Sequence, residues 1–387
     1  MARAPEPVIV AGGAVGPFGM FPDRSLADLA RPVLAAALAD AGIGADEIER
    51  AFVGNAFGGT LQRQESVLAQ LLLKTADIEG VPVHTVKNAC SSGSDAVHLA
   101  WSAVAWGQAD CALALGAEKL THEDRRATFA ALATATDRAP ASEGRSVFMD
   151  VNAERTNRYM AAYGATPRHF ALCAAKNRAH AALNPRAAVR EPIDADAVLA
   201  DRAVVGPLTR AMCGGIADGA AAVLLVSPAF ARRKGVSGPR IAASAVVSGR
   251  AGNGPNATAR AGADAYEQAG LGPSEISVAE VHDPTAPQEM FDIEDLGLAE
   301  RGGAIALVEA GETSLGGAIP VNTSGGLTAR GHPVGATGTA QIVEIAEQLT
   351  GRAGARQVAG AKVGLAQMAG GLFGNDSAIA TVHILTR

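Results

Sequence analysis

Short apolar runs separated by amphipathic helical stretches recur along the whole chain, and this alternation most limits the folds open to it. Residues 8–11 form a first apolar run. Ser25 then caps a helical pattern with Leu26, Leu29, Val33, Leu34, Ala37 and Leu38 on one face, closing near Gly42. Residues 51–53 predict a second strand, 64–74 a helix, 81–86 a third strand and 111–115 a fourth, with a helix following Cys90. Runs of this kind, apolar throughout and joined by helices, predict a mainly parallel sheet buried on both faces. From about residue 118 to 207 the pattern breaks into charged, short amphipathic pieces that read as a helical insertion. Residues 218–227 return to an apolar strand and complete a first unit, residues 1–239.

The second part, residues 240–387, repeats the theme. Strands are predicted at 240–248, 277–281, 318–322, 361–366 and 377–385, and helices at 256–270, 286–297 and after Pro333. Cys90 with its helix and His332 with its helix occupy comparable places in the two parts. The reading is a duplicated α/β unit, and 387 residues suffice for two cores.

Composition narrows the function. With 48% hydrophobic but only 4% aromatic residues and 45 glycines, the chain suits small side chains packed closely between helices and sheets. A net charge of −6 and no basic tract give nucleic acid nothing to bind. No apolar run is long enough for a membrane helix, and Met1-Ala-Arg-Ala-Pro-Glu-Pro7 is too polar for a signal peptide. Cysteines 90, 111, 173 and 213 show no disulfide or metal spacing, so a reducing, cytoplasmic setting without a bound metal is expected. Gly12-Gly-Ala-Val-Gly16 follows a strand, but Pro17 and the lack of a ribose-binding acid argue against a dinucleotide site.

Two segments carry the chemistry. Asn322-Thr-Ser-Gly-Gly-Leu-Thr-Ala-Arg-Gly-His-Pro-Val-Gly-Ala-Thr-Gly338 sets one histidine between a glycine-rich turn and a proline suited to a first helical turn. The small run at 335–338 lets backbone or ligand pass close to that helix start. Asn88-Ala-Cys90-Ser-Ser-Gly-Ser-Asp95 sets a cysteine at a strand-to-helix junction, where free N–H groups and the helix dipole favour a thiolate. A thiolate with an imidazole beside it is the arrangement needed for nucleophilic acyl transfer.

These segments resemble thiolases, and so do Val281-His282-Asp283, Leu115-Gly-Ala-Glu118, Leu296-Gly-Leu298 and the run from Asp218 to Ser227. The resemblance spans nearly the whole chain. It is nearest to the sterol-carrier-type and archaeal-type thiolases, which carry His-Asp where ordinary thiolases carry Asn-Glu. It implies two βαβαβαββ units stacked as five αβαβα layers, with a loop domain inserted in the first. It makes Cys90 the nucleophile, with oxyanion support from its own N–H and the Gly370-Gly371 turn, and Asn322 a support of the histidine turn. His332, together with His282, would move the thiol proton or polarise a second carbonyl. An acyl-CoA thioester is the implied substrate, with no covalently bound cofactor. The implied assembly is a homodimer or dimer of dimers, pairing through strands near the Cys90 loop, and a small OB-fold, zinc-ribbon partner is common among such relatives.

The departures are as informative. Sterol-carrier-type thiolases place a second cysteine just after His-Asp and His-Asn in the C-terminal turn. Here the two places read His282-Asp-Pro-Thr285 and Gly364-Leu-Ala-Gln-Met-Ala-Gly-Gly371. Neither Thr285 nor Gln367 is a base of suitable pKa, and with Met368 they become candidate pocket residues. Glu289 and Glu118 are the remaining base candidates; the other three cysteines fall at unrelated positions. The expected function is therefore transfer of an acyl group from acyl-CoA through Cys90 to a small-molecule acceptor that is itself nucleophilic at carbon, nitrogen or oxygen. The alternatives are a retro-aldolase acting on a β-hydroxyacyl thioester, an acetyl-CoA C-acyltransferase proper, or a non-catalytic partner of the small OB-fold subunit. Arg125, Arg126, Arg138 and Arg145 are candidates to meet the coenzyme A phosphates.

Overall fold

The computed structural model describes residues 6–137, 146–252 and 254–387. Nine strands form one continuous sheet surface: β1 (Val8–Val15), β2 (Arg50–Gly54), β3 (Val83–Val86), β4 (Cys111–Glu118), β5 (Gly219–Val226), β6 (Arg240–Ser248), β7 (Val278–Glu280), β8 (Val363–Gly370) and β9 (Ile379–Thr386). Their order is β3-β2-β4-β5-β1-β6-β9-β8-β7. The two parts meet where Val8 pairs with Ile241 and Ile9 with Arg240. Counted within each part, the order is the same, third–second–fourth–fifth–first. In the second part the third strand has shrunk to one parallel bridge between Ala279 and Val321. Pro320, which has no N–H to donate, stands directly before it.

The expectation of a mainly parallel sheet was wrong. Only β2–β3, β2–β4 and β7–β8 are parallel; β4–β5, β1–β5, β1–β6, β6–β9 and β8–β9 are antiparallel. Apolar runs report burial on both faces and say nothing of direction. The helix expected at 64–74 is also shorter: Gly58–Gln62 and Leu68–Lys74 are separate.

Layering follows from which residues are apolar on both faces. The cysteine helix (Ser92–Ala105) and the histidine helix (Val334–Thr350) lie side by side between the two half-sheets. Val97, Val104, Ile342, Ile345 and Leu349 bury there against Ala114, Val223 and Ala366. Outside one half-sheet pack Leu26–Ala41 and Leu68–Lys74; outside the other pack Ala257–Ala269 and Ala286–Asp295. The result is five layers, helix–sheet–helix–sheet–helix. Helices Arg125–Ala133, Val147–Tyr163, Pro167–Ala182 and Ala195–Ala200 fill the stretch between β4 and β5. Among the described residues no helix is long and apolar enough to cross a membrane.

Gly335 and Gly338 admit backbone, not ligand. A Cβ on Gly338 would stand 2.5 Å from the nitrogen of Ser94, and one on Gly93 would stand 2.4 Å from the carbonyl oxygen of Gly335. The two central helices therefore touch through their main chains, which fixes the spacing of Cys90 and His332. Gly12, likewise, packs its backbone against Ala41 inside β1 and forms no phosphate cradle.

Candidate active site

Cys90 projects from a strained corner. Ala89, with no glycine freedom, holds φ at 47°, and Asn88 bridges to Cys90 across it. Ser92 secures the corner: its hydroxyl accepts from the Asn88 N–H (2.9 Å) and donates to the Ala89 carbonyl (2.7 Å). Gly370 makes room, since a Cβ there would stand 2.4 Å from the Asn88 carbonyl.

His332 is positioned by a buried polar scaffold. A wide turn, Gly326–Arg330, precedes it, and Asp283 grips that turn by accepting from Leu327 N–H (2.7 Å), Asn177 (2.9 Å) and Thr328 (3.2 Å). Arg330 reaches Glu280 (3.4 Å) and Ser324 (3.0 Å). Because Asp283 follows His282 in sequence, one carboxylate ties the His282 corner to the His332 turn. The Thr337 hydroxyl donates to the Pro333 carbonyl (2.9 Å) and so accepts from His332 Nδ1–H (2.8 Å). That leaves the lone pair on His332 Nε2, which has no hydrogen-bond partner. His282 Nε2 is likewise unpartnered, while the His282 backbone N–H donates to Gln367 Oε1 (2.8 Å).

The fold brings Cys90 Sγ and one nitrogen of each imidazole within 4.8 Å of one another. The rings meet edge to face, 5.4 Å apart. Three such donors could also hold a soft cation, although no sequence spacing announced it. Burial pushes the Cys90 thiol up to about 12, with the nearby Glu118 adding to it; N–H groups of Gly371 and of Cys90 itself face the sulfur and act the other way. Burial pushes His282 down to about 3, assisted by Arg155, and His332 well below the usual imidazole range. Desolvation opposes the helix dipole here and favours thiol and neutral imidazole at rest.

A cavity of ≈ 260 Å³ opens onto these three residues. Phe57, Leu120, Phe129, Leu132, Phe148 and Met149 give it an apolar wall; Asn152, Arg155 and Gln288 stand on another. Gly371 lines it; Gly370 lies just behind. Thr285, Gln367 and Met368 do not line it. Thr285 is buried and bonded to Asn152 (3.1 Å), Gln367 braces His282 and Thr258, and Met368 is buried in β8. β8 is buried on both faces, which takes both Gln367 and Met368 into the core, and Thr285 is the buried residue at the start of the helix Ala286–Asp295. Asn322, at φ 57°, supports the turn as expected: it accepts from Val281 N–H (2.9 Å) and donates to Glu289 (2.8 Å).

Neither candidate carboxylate base faces the cavity. Glu289 pairs with Lys176 (2.6 Å), and Glu118 accepts from the N–H groups of Ala56, Phe57 and Gly335. Arg125 lines the cavity and Arg126 does not; Arg138 and Arg145 lie outside the described residues. Two lining residues had no sequence signal. Cys213 reaches the cavity wall because it bridges to Thr285. Arg155 comes from an unremarkable helical face.

The sequence matches the family "Thiolase, N-terminal domain" over residues 8–197 and "Thiolase C-terminal domain-like" over residues 243–387. It is 36% identical to acetyl-CoA acetyltransferase of Methanothermobacter thermautotrophicus, covering 98% of this chain and 99% of that protein. It is 34% identical to bovine sterol carrier protein 2 over 89% of this chain and 66% of the relative. Identity to benzoylsuccinyl-CoA thiolase subunit BbsB of Thauera aromatica is 35%, over 80% of each chain. Among solved structures, the Ltp2-ChsH2(DUF35) aldolase superposes with a TM-score of 0.80 at 24% identity, covering 99% of this chain and 98% of that one, and so shares the fold. Two family domains, full-length relatives and a cysteine–histidine centre agree: the chain belongs to the thiolase family and is an acyltransferase.

Proposed function

We propose that this protein takes an acyl group from a coenzyme A thioester onto Cys90 and passes it to a nucleophilic small-molecule acceptor. Cys90 Sγ attacks the thioester carbon while its proton passes to the bare Nε2 of His332. The carbonyl oxygen takes up charge between the N–H groups of Cys90 and Gly371, and the C–S bond to coenzyme A breaks. The proton on His332 then leaves with the coenzyme A thiol. In the second step the acceptor attacks the acyl-cysteine and Cys90 regains a proton.

One observation carries this reading: a thiol and two unpartnered imidazole nitrogens converge at the end of a cavity with no carboxylate among its described lining residues. The acetyl-CoA acetyltransferase and benzoylsuccinyl-CoA thiolase among its relatives support a coenzyme A donor. Intact-protein mass after incubation with acetyl-CoA and longer acyl-CoAs tests it. An adduct on wild type and none on Cys90→Ala is expected; no adduct with any donor would sink the reading in favour of a lyase or a non-catalytic partner.

Carbon–carbon bond formation by a C-acyltransferase is the second reading, and Cys213 on the cavity wall favours it by putting a second thiol within the same enclosure. Acetoacetyl-CoA formation lost in Cys213→Ala, with acylation of Cys90 retained, would distinguish it. For assembly we propose a homodimer. β3 is an edge strand, and exposed Val67 and Leu71 flank the helix packed beside it. The aldolase is named together with a DUF35 component, which is consistent with a small partner here as well. The cysteines are all free, in keeping with a reducing cytoplasm.

A further inference from the structure

The cavity is unusual in its charge. Arg125, Arg155, Arg202 and Arg210 line it and no described acid does. Three of these are exposed, and they suit the anionic end of a donor held at the mouth. Arg155 differs from them. It projects from Val147–Tyr163 on the face that also presents Phe148 and Asn152, and Asn152 accepts from Thr285, so this helix is docked on the corner carrying His282. Of the four, Arg155 is the one whose charge acts on His282.

Among the described residues it has no carboxylate as a direct partner. The guanidinium donates to the Asn375 carbonyl (3.0 Å), and no carboxylate among the described residues lies within 4.0 Å of it. The acids in its surroundings are otherwise engaged: Asp295 pairs with Arg301 (2.5 Å) and Asp376 with Arg260 (3.3 Å). Asp292, the acid that acts most on Arg155, is buried with Oδ2 unpartnered and makes no direct ion pair with it; burial beside Asp295 pushes its carboxyl up. A half-buried arginine with donors free to turn into a partly apolar cavity is placed to meet an anionic group of a bound ligand.

We propose that the acyl group carries a carboxylate and that Arg155 binds it, making this an acyltransferase for carboxyacyl thioesters. The inference rests on the acyl-enzyme reading, because the group attached to Cys90 is what occupies the cavity. Arg155 selects the substrate and takes no part in the bond changes. Apolar walls at Phe57, Leu132 and Phe148 leave the remainder of the chain as methylene or ring.

The test compares acylation of Cys90 by glutaryl- and adipyl-CoA with acylation by valeryl- and hexanoyl-CoA, in wild type and in Arg155→Met. Wild type should favour the carboxylated donors by roughly 30-fold, and Arg155→Met should bring the ratio close to one. A residue that merely clamps the Asn375 loop would lower all four rates together and leave the ratio intact, overturning the proposal. Wild type acylated equally by both classes overturns it too, while leaving the acyl-enzyme reading in place. Binding of the same donors to Cys90→Ala by calorimetry gives a readout that needs no acylation. Tighter binding of the carboxylated pair supports the assignment even if no adduct forms, and equal affinities refute it.

Discussion

The cysteine loop and the histidine loop occupy matching places in the two parts of the chain, yet they are built from different materials. The cysteine corner is held by short-range backbone strain and one serine hydroxyl, Ala89 at φ 47° and Ser92 around it. The histidine turn is held by buried polar side chains: Asp283, Glu280–Arg330, and Glu344–Arg356 (2.8 Å) behind it. Their electrostatics are opposed as well. Burial raises the thiol and lowers the imidazole, so it disfavours charge on either. Duplication supplied two helices pointing at one spot; what each then needed was different. A nucleophile needs exposure at a sharp corner, whereas a proton acceptor needs one tautomer and one orientation.

The largest consequence of that division is catalytic. His332→Ala should slow acylation of Cys90 by roughly 10³-fold, within the range of lost general-base assistance, while a Cys90→Ala protein gives no adduct at all. Single-turnover acylation measured by mass spectrometry checks both; a His332→Ala rate within tenfold of wild type would mean the imidazole is not the proton acceptor. Next in size is the pH dependence of the thiol. With Cys90 raised to about 12, its iodoacetamide alkylation at pH 7 should be slow and should rise about tenfold per pH unit without levelling before pH 10. A plateau between pH 6 and 8 would reveal a thiolate–imidazolium pair instead.

Much of this was legible in the residues. The order of strands and helices followed from periodicity, and Cys90, His332 and His282 came from local motifs whose glycines and proline have backbone reasons. Strand direction was not legible, since an apolar run such as that of β5 looks the same whichever way it pairs. The pocket fared worse. Thr285 and Gln367 sit beside the site motifs in sequence, but Thr285 stands at a buried helix start and Gln367 lies in a strand buried on both faces. Cys213 and Arg155 entered the cavity through tertiary contacts, Cys213 by a bridge to Thr285 and Arg155 by helix docking. No spacing encodes either contact.

Two stability measurements sharpen the contrast between the loops. Asp283→Ala leaves Leu327 N–H, Asn177 and Thr328 without their acceptor in a fully buried site. It should cost about 3 kcal/mol in urea unfolding. Asn in its place, retaining one acceptor oxygen, should recover part of that. If Asp283→Ala unfolds like wild type, the buried hydrogen bonds of Asp283 are not what holds the histidine turn.

The smaller effect belongs to the seam between the two helices. Gly338→Ala forces a methyl to within 2.5 Å of the Ser94 nitrogen and Cβ, against main chain that has little room to yield. About 2 kcal/mol of overpacking is expected. Because the seam sets the distance from Cys90 to His332, acylation should fall by more than the stability loss explains, even under conditions where the variant is fully folded. Should stability drop while the folded variant acylates at the wild-type rate, the loops hold their geometry independently and the helices only carry them.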